Sequence, residues 1–117
     1  KEVEQFYKSK MLPGVKEQPS WGLNSKVIKK NNTLEEQVWK SGGMYGAAID
    51  KIIFWLEKAV TVAENDIQKQ TLQALVKFYK TGDLKDYDDY CISWVKDTKH
   101  NGLKITLPLC RSIKRKM

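Results

Sequence analysis

At 117 residues, the chain is long enough for one domain with a single core and too short for two. Apolar residues make up 41% and charged residues 30%, which excludes a disordered tail, and no apolar run approaches the ~18 residues that a membrane-spanning helix needs. The net charge is +7, and both arginines but no acid fall within residues 98–117, so this end of the chain carries most of the excess.

The first part of the predicted single domain 1–117 is residues 1–43, which we expect to be irregular apart from one β-hairpin. Two runs rich in Val, Ile and Trp flank Asn31-Asn32, and asparagine tolerates the left-handed backbone of a tight hairpin turn. Thr33 and Glu36 also fit a capping box that would open a short helix instead. We favour the hairpin because the second run is only two turns long.

Residues 44–97 carry the strongest pattern, three apolar stripes at helical spacing. They predict helices over about 44–64, 66–80 and 84–97, joined by short connections that make neighbours antiparallel. Asn65 and Asp83 are expected to cap the second and third helices, and Gly82 to close the second. The fold class is therefore mainly α, a three-helix antiparallel core with an N-terminal hairpin and an irregular basic tail.

The first of these helices is apolar over more than half its circumference, which predicts burial on several sides. Trp55 and Trp94 fall on or beside the helical stripes and are expected in the core. Trp21 and Trp39 lie outside the strong helices and are candidates for a surface that faces a partner.

The chain offers few residues for catalysis or metal binding. A zinc site needs three or four protein ligands, whereas the chain has one histidine, His100, and two separated cysteines, Cys91 and Cys110. Without an extracellular signal, two free thiols are favoured over a disulfide. Glu35 and Glu36 would point to opposite faces of a strand and could not act as an acid and base pair. We predict no catalytic, metal-binding or cofactor-binding residue and no cofactor.

Two further patterns have ordinary structural explanations. The Gly42-Gly43 pair lacks the spacing of a phosphate-binding loop and predicts a tight turn before a helix. Acidic residues crowd the start of the third helix without the ligand order of a calcium loop, which predicts capping and a solvated face. These residues are Asp83, Asp86, Asp88 and Asp89.

The basic tail, residues 98–117, is turn-rich and is expected to be a solvated terminus. Its candidate anion contacts are Arg111, Lys114, Arg115 and Lys116. The tail has no aromatic residue for stacking on single strands, and residues 41–97 are slightly acidic. We therefore expect neither a nucleic-acid nor a membrane partner, and a soluble protein of the cytoplasm or periplasm.

Six pieces of the chain, in order and without large gaps, resemble the dipeptidyl peptidase III family, and its bacterial, Bacteroides-like branch most. They are WGLNSK (21–26), VWKSGGMY (38–45), IDKIIFWLEKA (49–59), AEN (63–65), FYKTGDL (78–84) and WVKD (94–97). The resemblance covers about residues 20–98. After it the family continues through a Gly-Phe-Ile-Glu segment of its peptide-binding cleft, whereas this chain continues with residues 100–104, HNGLK.

The resemblance implies a part of a two-lobed zinc exopeptidase that releases dipeptides from the N-terminus of peptides. In that family the zinc ligands lie on a downstream H-E-x-x-G-H or H-E-x-x-x-H helix, which this chain lacks. The resemblance therefore implies a non-catalytic fragment of the lobe without zinc, inactive alone, with the remainder of that lobe as its partner. The alternative is a stand-alone helical interaction module that self-associates.

Overall fold

The computed structural model describes residues 1–97, which form four helices and one two-stranded antiparallel sheet. In chain order these are α1 (Glu2–Ser9), β1 (Ser25–Lys30), β2 (Thr33–Val38), α2 (Gly46–Thr61), α3 (Asp66–Thr81) and α4 (Leu84–Lys96). The mainly α class, the helical core and the hairpin are all confirmed. The ends of the three core helices lie within three residues of the predicted bounds. The predicted tail, 98–117, lies outside the described residues.

The helix α1 occupies residues that the sequence predicts to be irregular, so that prediction is wrong. Glu2 and Glu4 lie in its first turn, where negative charge complements the helix dipole. The hydroxyl of Tyr7 packs against Gly22, where an added Cβ would lie 3.0 Å from the hydroxyl oxygen. With eight residues and none fully buried, α1 is too short to give a clear apolar repeat.

Asn31 and Asn32 form the turn of the hairpin, with φ angles of 49° and 64°. Such a turn matches the twist of antiparallel strands, and it fixes the register from Lys30 opposite Thr33 to Ser25 opposite Val38. The hairpin prediction is confirmed, and the alternative capping box at Thr33 is not formed.

The helix α3 lies between α2 and α4 and packs against both of them. Its apolar positions meet those of its neighbours in one core, in which Leu75, Tyr90 and Cys91 are fully enclosed. The other buried apolar residues are Ile49, Ile53, Leu56, Leu72, Val76, Phe78, Leu84 and Tyr87. Trp94 packs against this cluster, as predicted.

The predicted caps form as the sequence indicates. The side chain of Asn65 accepts a hydrogen bond from the backbone N–H of Gln68 at 2.8 Å, and that of Asp83 accepts one from Lys85 at 2.9 Å. Gly82 ends α3 with a φ of 67°, a conformation that favours glycine. These local signals explain why the bounds of α3 and α4 are predictable.

The hairpin is attached to the helices at the end of α3. The Asn24 side chain is buried and donates to the Gly82 carbonyl at 2.9 Å, and the Ser41 N–H donates to the Tyr79 carbonyl at 2.9 Å. A Cβ on Gly82 would lie only 2.6 Å from Cγ1 of Val38. Glycine is therefore required here both by the positive φ and by the close approach of β2.

Cys91 is disulfide-bonded in the structure, so the expectation of a free thiol at this position is wrong. The expectation of free thiols comes from the general dependence of disulfides on redox compartment, and this dependence does not determine whether a particular thiol has a partner within bonding distance. Cys110 lies outside the described residues.

Candidate functional site

One side of α2 packs into the core, whereas its other sides reach the surface. Ile53 and Leu56 are buried, but Trp55 is 67% exposed and Phe54 is 52% exposed. The prediction that α2 is buried on several sides, with Trp55 in the core, is wrong. The reason is that α2 lies at the edge of the helical layer, so only α3 covers it extensively among the described residues.

The exposed apolar surface continues onto the turn that precedes α2. Trp39 is 40% exposed, and its indole N–H donates to the sulfur of Met44 at 3.2 Å. The ring of Tyr45 meets that of Trp39 edge to face, with centroids 6.0 Å apart. Tyr45 is itself 64% exposed, and its φ of 58° is unusual for a residue with a bulky side chain. The predicted glycine turn lies between these two residues in the chain, and Gly42 adopts a positive φ of 74°.

Of the two tryptophans predicted to face a partner, the structure exposes only one to a large extent. Trp39 lies on the surface, as that hypothesis requires. Trp21 instead packs against the core cluster, with Lys10 Nζ 5.5 Å from the centre of its ring. The surface of interest therefore runs from Trp39 along α2 and does not include Trp21.

Two cavities border this surface, one near each end of α2. The larger, of about 440 Å³, is lined in part by Trp39, Tyr45 and Ile52 together with Tyr79 of α3. The smaller, of about 230 Å³, has Ala59 and Val62 among its lining residues. Both are lined mainly by apolar side chains, the composition of an interface or an apolar ligand site.

A polar cluster joins the end of α1 to the hairpin. Glu36 forms an ion pair with Lys10 and accepts a hydrogen bond from Ser25 Oγ. Partial burial alone would raise the pKa of Glu36, but the contacts with Lys10 and Ser25 outweigh it and hold the pKa below its ordinary value. A carboxylate kept ionised in this way is a poor proton donor, and the exposed Glu35 lies on the other face of the strand. The cluster is therefore structural.

The acidic residues at the start of α4 divide into different roles. Asp83 caps the helix, as predicted, and Asp89 is exposed. Asp86 is 8% exposed, pairs with Lys77 Nζ at 2.8 Å and accepts a hydrogen bond from Thr81 Oγ1 at 2.6 Å. Burial opposes ionisation, but these two partners lower the pKa of Asp86 below its ordinary value. The predicted solvated face is therefore wrong for Asp86, which ties α4 to the end of α3.

The residues described here do not supply a metal centre. Within residues 1–97, no three His, Cys, Asp or Glu side chains come together in a group that could hold a metal ion. These residues therefore do not fit a zinc ion, which needs three or four protein ligands. His100 and the candidate anion contacts Arg111, Lys114, Arg115 and Lys116 lie outside the described residues. No helix in this part of the chain is long and apolar enough to cross a membrane.

Comparison with known proteins places the chain in a family. The family model described as peptidase family M49, the dipeptidyl peptidase III family, matches residues 16–101. The chain belongs to this family. The match spans the hairpin and α2 to α4, and it confirms the resemblance noted over residues 20–98. No curated protein matches the chain. The exposed apolar side of α2 thus lies within the M49 segment.

Sequence analysis missed the exposure of Ile52, Trp55 and Val62, although a signal was present. The apolar residues of α2 form two stripes, each with alternating spacings of three and four residues, and the stripes are offset by one residue. One stripe is enough to pack against α3. The second stripe is the feature that could have indicated a surface for a further element.

Proposed function

We propose that this M49 segment is a non-catalytic part of a dipeptidyl peptidase III-type zinc exopeptidase, an enzyme that releases dipeptides from the N-terminus of peptides. In this proposal the segment is a helical part of the lobe that frames the peptide-binding cleft, and the zinc ligands come from another part of the enzyme. The apolar side of α2 is the observation that carries the proposal. A helix inside a larger lobe would have that side covered, which accounts for large exposed side chains such as Trp55 and Val62.

Activity and metal content of the purified 117-residue chain test this function directly. We expect no hydrolysis of dipeptidyl arylamides with added zinc, and less than stoichiometric zinc after dialysis. Hydrolysis that a chelator abolishes would contradict the proposal. The coding sequence on both sides, read together with the intact mass of the natural product, tests the wider claim. A reading frame that continues into a zinc-binding helix supports a lobe segment, and a frame without one removes the link to an active peptidase.

The same exposed surface also favours a second candidate, a stand-alone interaction module that self-associates. An apolar patch of several large side chains is typical of a protein that buries it against another copy. Light scattering across a range of concentrations separates the two candidates. A dimer that Trp55→Ala converts to a monomer supports self-association, whereas a monomer at all concentrations argues against it.

A further inference from the structure

The turn of the hairpin contains the sequence pattern that accepts N-linked sugars. Asn31-Asn32-Thr33 fits Asn-x-Ser/Thr, in which the middle residue is not proline and the asparagine carries the glycan. The chain has five asparagines, and Asn31 is the only one with a serine or threonine two residues after it. A pattern of three residues also occurs by chance, so its place in the structure decides whether it is a candidate site.

The structure places this pattern on the surface, where a glycan acceptor has to lie. All three residues are exposed, and Asn31 and Asn32 form the two-residue turn between β1 and β2. Each strand has six residues, so the turn lies about 20 Å from the base of the hairpin at a rise of about 3.3 Å per residue. A large hydrophilic group on Asn31 therefore projects into solvent, away from the end of α3 that the base of the hairpin contacts.

The other asparagines within residues 1–97 that lie outside this turn have structural roles. Asn24 is 7% exposed, and its amide donates to the carbonyl of Gly82. The side chain of Asn65 accepts a hydrogen bond from the N–H of Gln68 at the start of α3. In contrast, the side chain of Asn31 takes part in no hydrogen bond among the described residues. A glycan on Asn31 therefore displaces no contact of the fold.

Cys91 gives an independent indication of the compartment. It is fully buried and disulfide-bonded. Disulfides persist in oxidising compartments such as the lumen of the endoplasmic reticulum, and they are rare in the cytosol, where thiols are kept reduced. N-linked glycosylation is likewise a property of secreted proteins. Two unrelated features, one in the hairpin and one in α4, therefore point to the same route.

We propose that Asn31 is an N-glycosylation site and that the chain is processed in an oxidising compartment of the secretory route. The donor is an oligosaccharide joined to a lipid through a diphosphate. Nδ2 of Asn31 bonds to C1 of the first sugar as the bond from C1 to the diphosphate oxygen breaks. The lipid diphosphate leaves with the electron pair, and Nδ2 gives up one of its two protons. The proposal is independent of the proposed function, and it requires the hairpin turn to face solvent in any larger assembly, because the glycan is bulky.

The natural product, purified from the cells that make it, tests the site directly. Trypsin cleaves after Lys30 and Lys40 and releases residues 31–40 as one peptide. Peptide-N-glycosidase removes an N-linked glycan and converts its asparagine to aspartate, which mass spectrometry locates within the peptide. We expect this conversion at Asn31 only after glycosidase treatment, and alkylation of Cys91 only after reduction. An unmodified peptide in both samples, an equal conversion without the enzyme, or alkylation of Cys91 without reduction would each overturn the proposal.

Variants expressed behind a cleavable secretion signal test whether the pattern carries the glycan. We expect the secreted chain to be heavier by one glycan than its glycosidase-treated product. Thr33→Ala should abolish this shift and Thr33→Ser should keep it, because a hydroxyl at this position completes the pattern. The matched control Asn32→Gly keeps the pattern and suits the positive φ of the turn, so it should also keep the shift. A shift that persists in Thr33→Ala would place the glycan elsewhere and overturn the proposal.

Moving the pattern to a buried asparagine tests the structural part of the argument. Lys26→Thr together with Thr33→Ala transfers the pattern from Asn31 to Asn24. We expect either no glycan at Asn24 or a glycosylated form that has lost its cooperative urea transition, and the same double variant made without secretion controls for the substitutions. With the original sequence, the urea midpoint should be the same before and after the glycan is removed. A large loss of stability caused by the glycan at Asn31, or a stable fold with a glycan at Asn24, would contradict the placement.

Discussion

The two adjacent stripes of α2 are both strongly apolar, but they differ in what covers them. Ile49, Ile53 and Leu56 form the inner stripe and are only 6%, 7% and 8% exposed, because α3 packs on them. The outer stripe lies one residue away along the chain, and we call its α2 residues, Ala48, Ile52, Trp55 and Ala59, the α2 seam. Ile52 and Trp55 on this seam are exposed. Apolar composition therefore does not by itself produce burial. A side chain is buried only if the fold places another element against it.

The two stripes also differ in whether they contribute to the stability of the fold or to binding. Burial of the inner stripe contributes to folding, because those side chains leave water when the domain forms. The α2 seam contributes little in the isolated chain, since its side chains are largely exposed before and after folding. Its apolar surface is available to a partner instead. Changes on the two sides should consequently have opposite effects on stability and on binding.

The largest expected effect on stability comes from truncating two neighbouring residues of α2, one on each stripe. Leu56→Ala leaves a cavity in the core and should lower the free energy of unfolding by about 2–4 kcal/mol. Trp55→Ala removes a larger side chain from the surface and should change the free energy of unfolding by less than about 0.5 kcal/mol. Urea denaturation followed by circular dichroism measures both. Similar losses for the two variants would show that the seam is covered in solution.

Burial in α2 is one part of the fold that the sequence pattern does not resolve. Both stripes match the helical period equally well, so the pattern predicts the helix without indicating which stripe meets α3. Which stripe is covered depends on the direction in which α3 packs back against α2 after Asn65. This is a property of the tertiary structure and not of the local sequence pattern. The sequence pattern therefore predicts Trp55 in the core, whereas the structure places it on the exposed α2 seam.

Other elements were predictable in proportion to how local their signals are. Asn65, Gly82 and Asp83 act on their own helix ends, so the bounds of α3 and α4 follow from the sequence to within one residue. In contrast, α1 depends on contacts with distant residues, such as Tyr7 against Gly22 and Lys10 with Glu36. No short-range pattern in its eight residues indicates those contacts.

A second prediction tests the close contact between the end of α3 and the hairpin. Gly82→Ala should lower the free energy of unfolding by about 2–3 kcal/mol, because alanine disfavours the positive φ and its Cβ would overlap Val38. Gly14 is the matched control, with a φ of 76° and no atom within 4 Å of an added Cβ. Gly14→Ala should therefore cost only about 1 kcal/mol, the backbone part alone. Equal losses, measured as shifts of the urea midpoint, would mean that the hairpin does not press on α3.

The smallest expected effect concerns the buried carboxylate of Asp86 and depends on pH. Asp86→Asn replaces the ion pair with Lys77 by a weaker hydrogen bond and should lower the free energy of unfolding by about 1–2 kcal/mol at pH 7. The pKa of Asp86 is lower in the folded chain than in the unfolded chain. Its contribution is therefore complete above the ordinary aspartate pKa of about 3.9 and is lost as the pH falls through the folded value.

Urea titrations of the original chain and of Asp86→Asn between neutral pH and about pH 3 measure this contribution as the difference between their stabilities. We expect the difference to shrink at the acid end, since a protonated Asp86 resembles asparagine. Asp89→Asn, an exposed acid of the same helix, should show almost no difference at any pH. A difference for Asp86→Asn that stays constant down to the acid end would mean that packing, and not charge, joins α4 to α3. The side of the molecule where α3 and α4 pack would then be stabilised by apolar contacts throughout. It would differ from the α2 seam only in that its apolar side chains are covered by another helix.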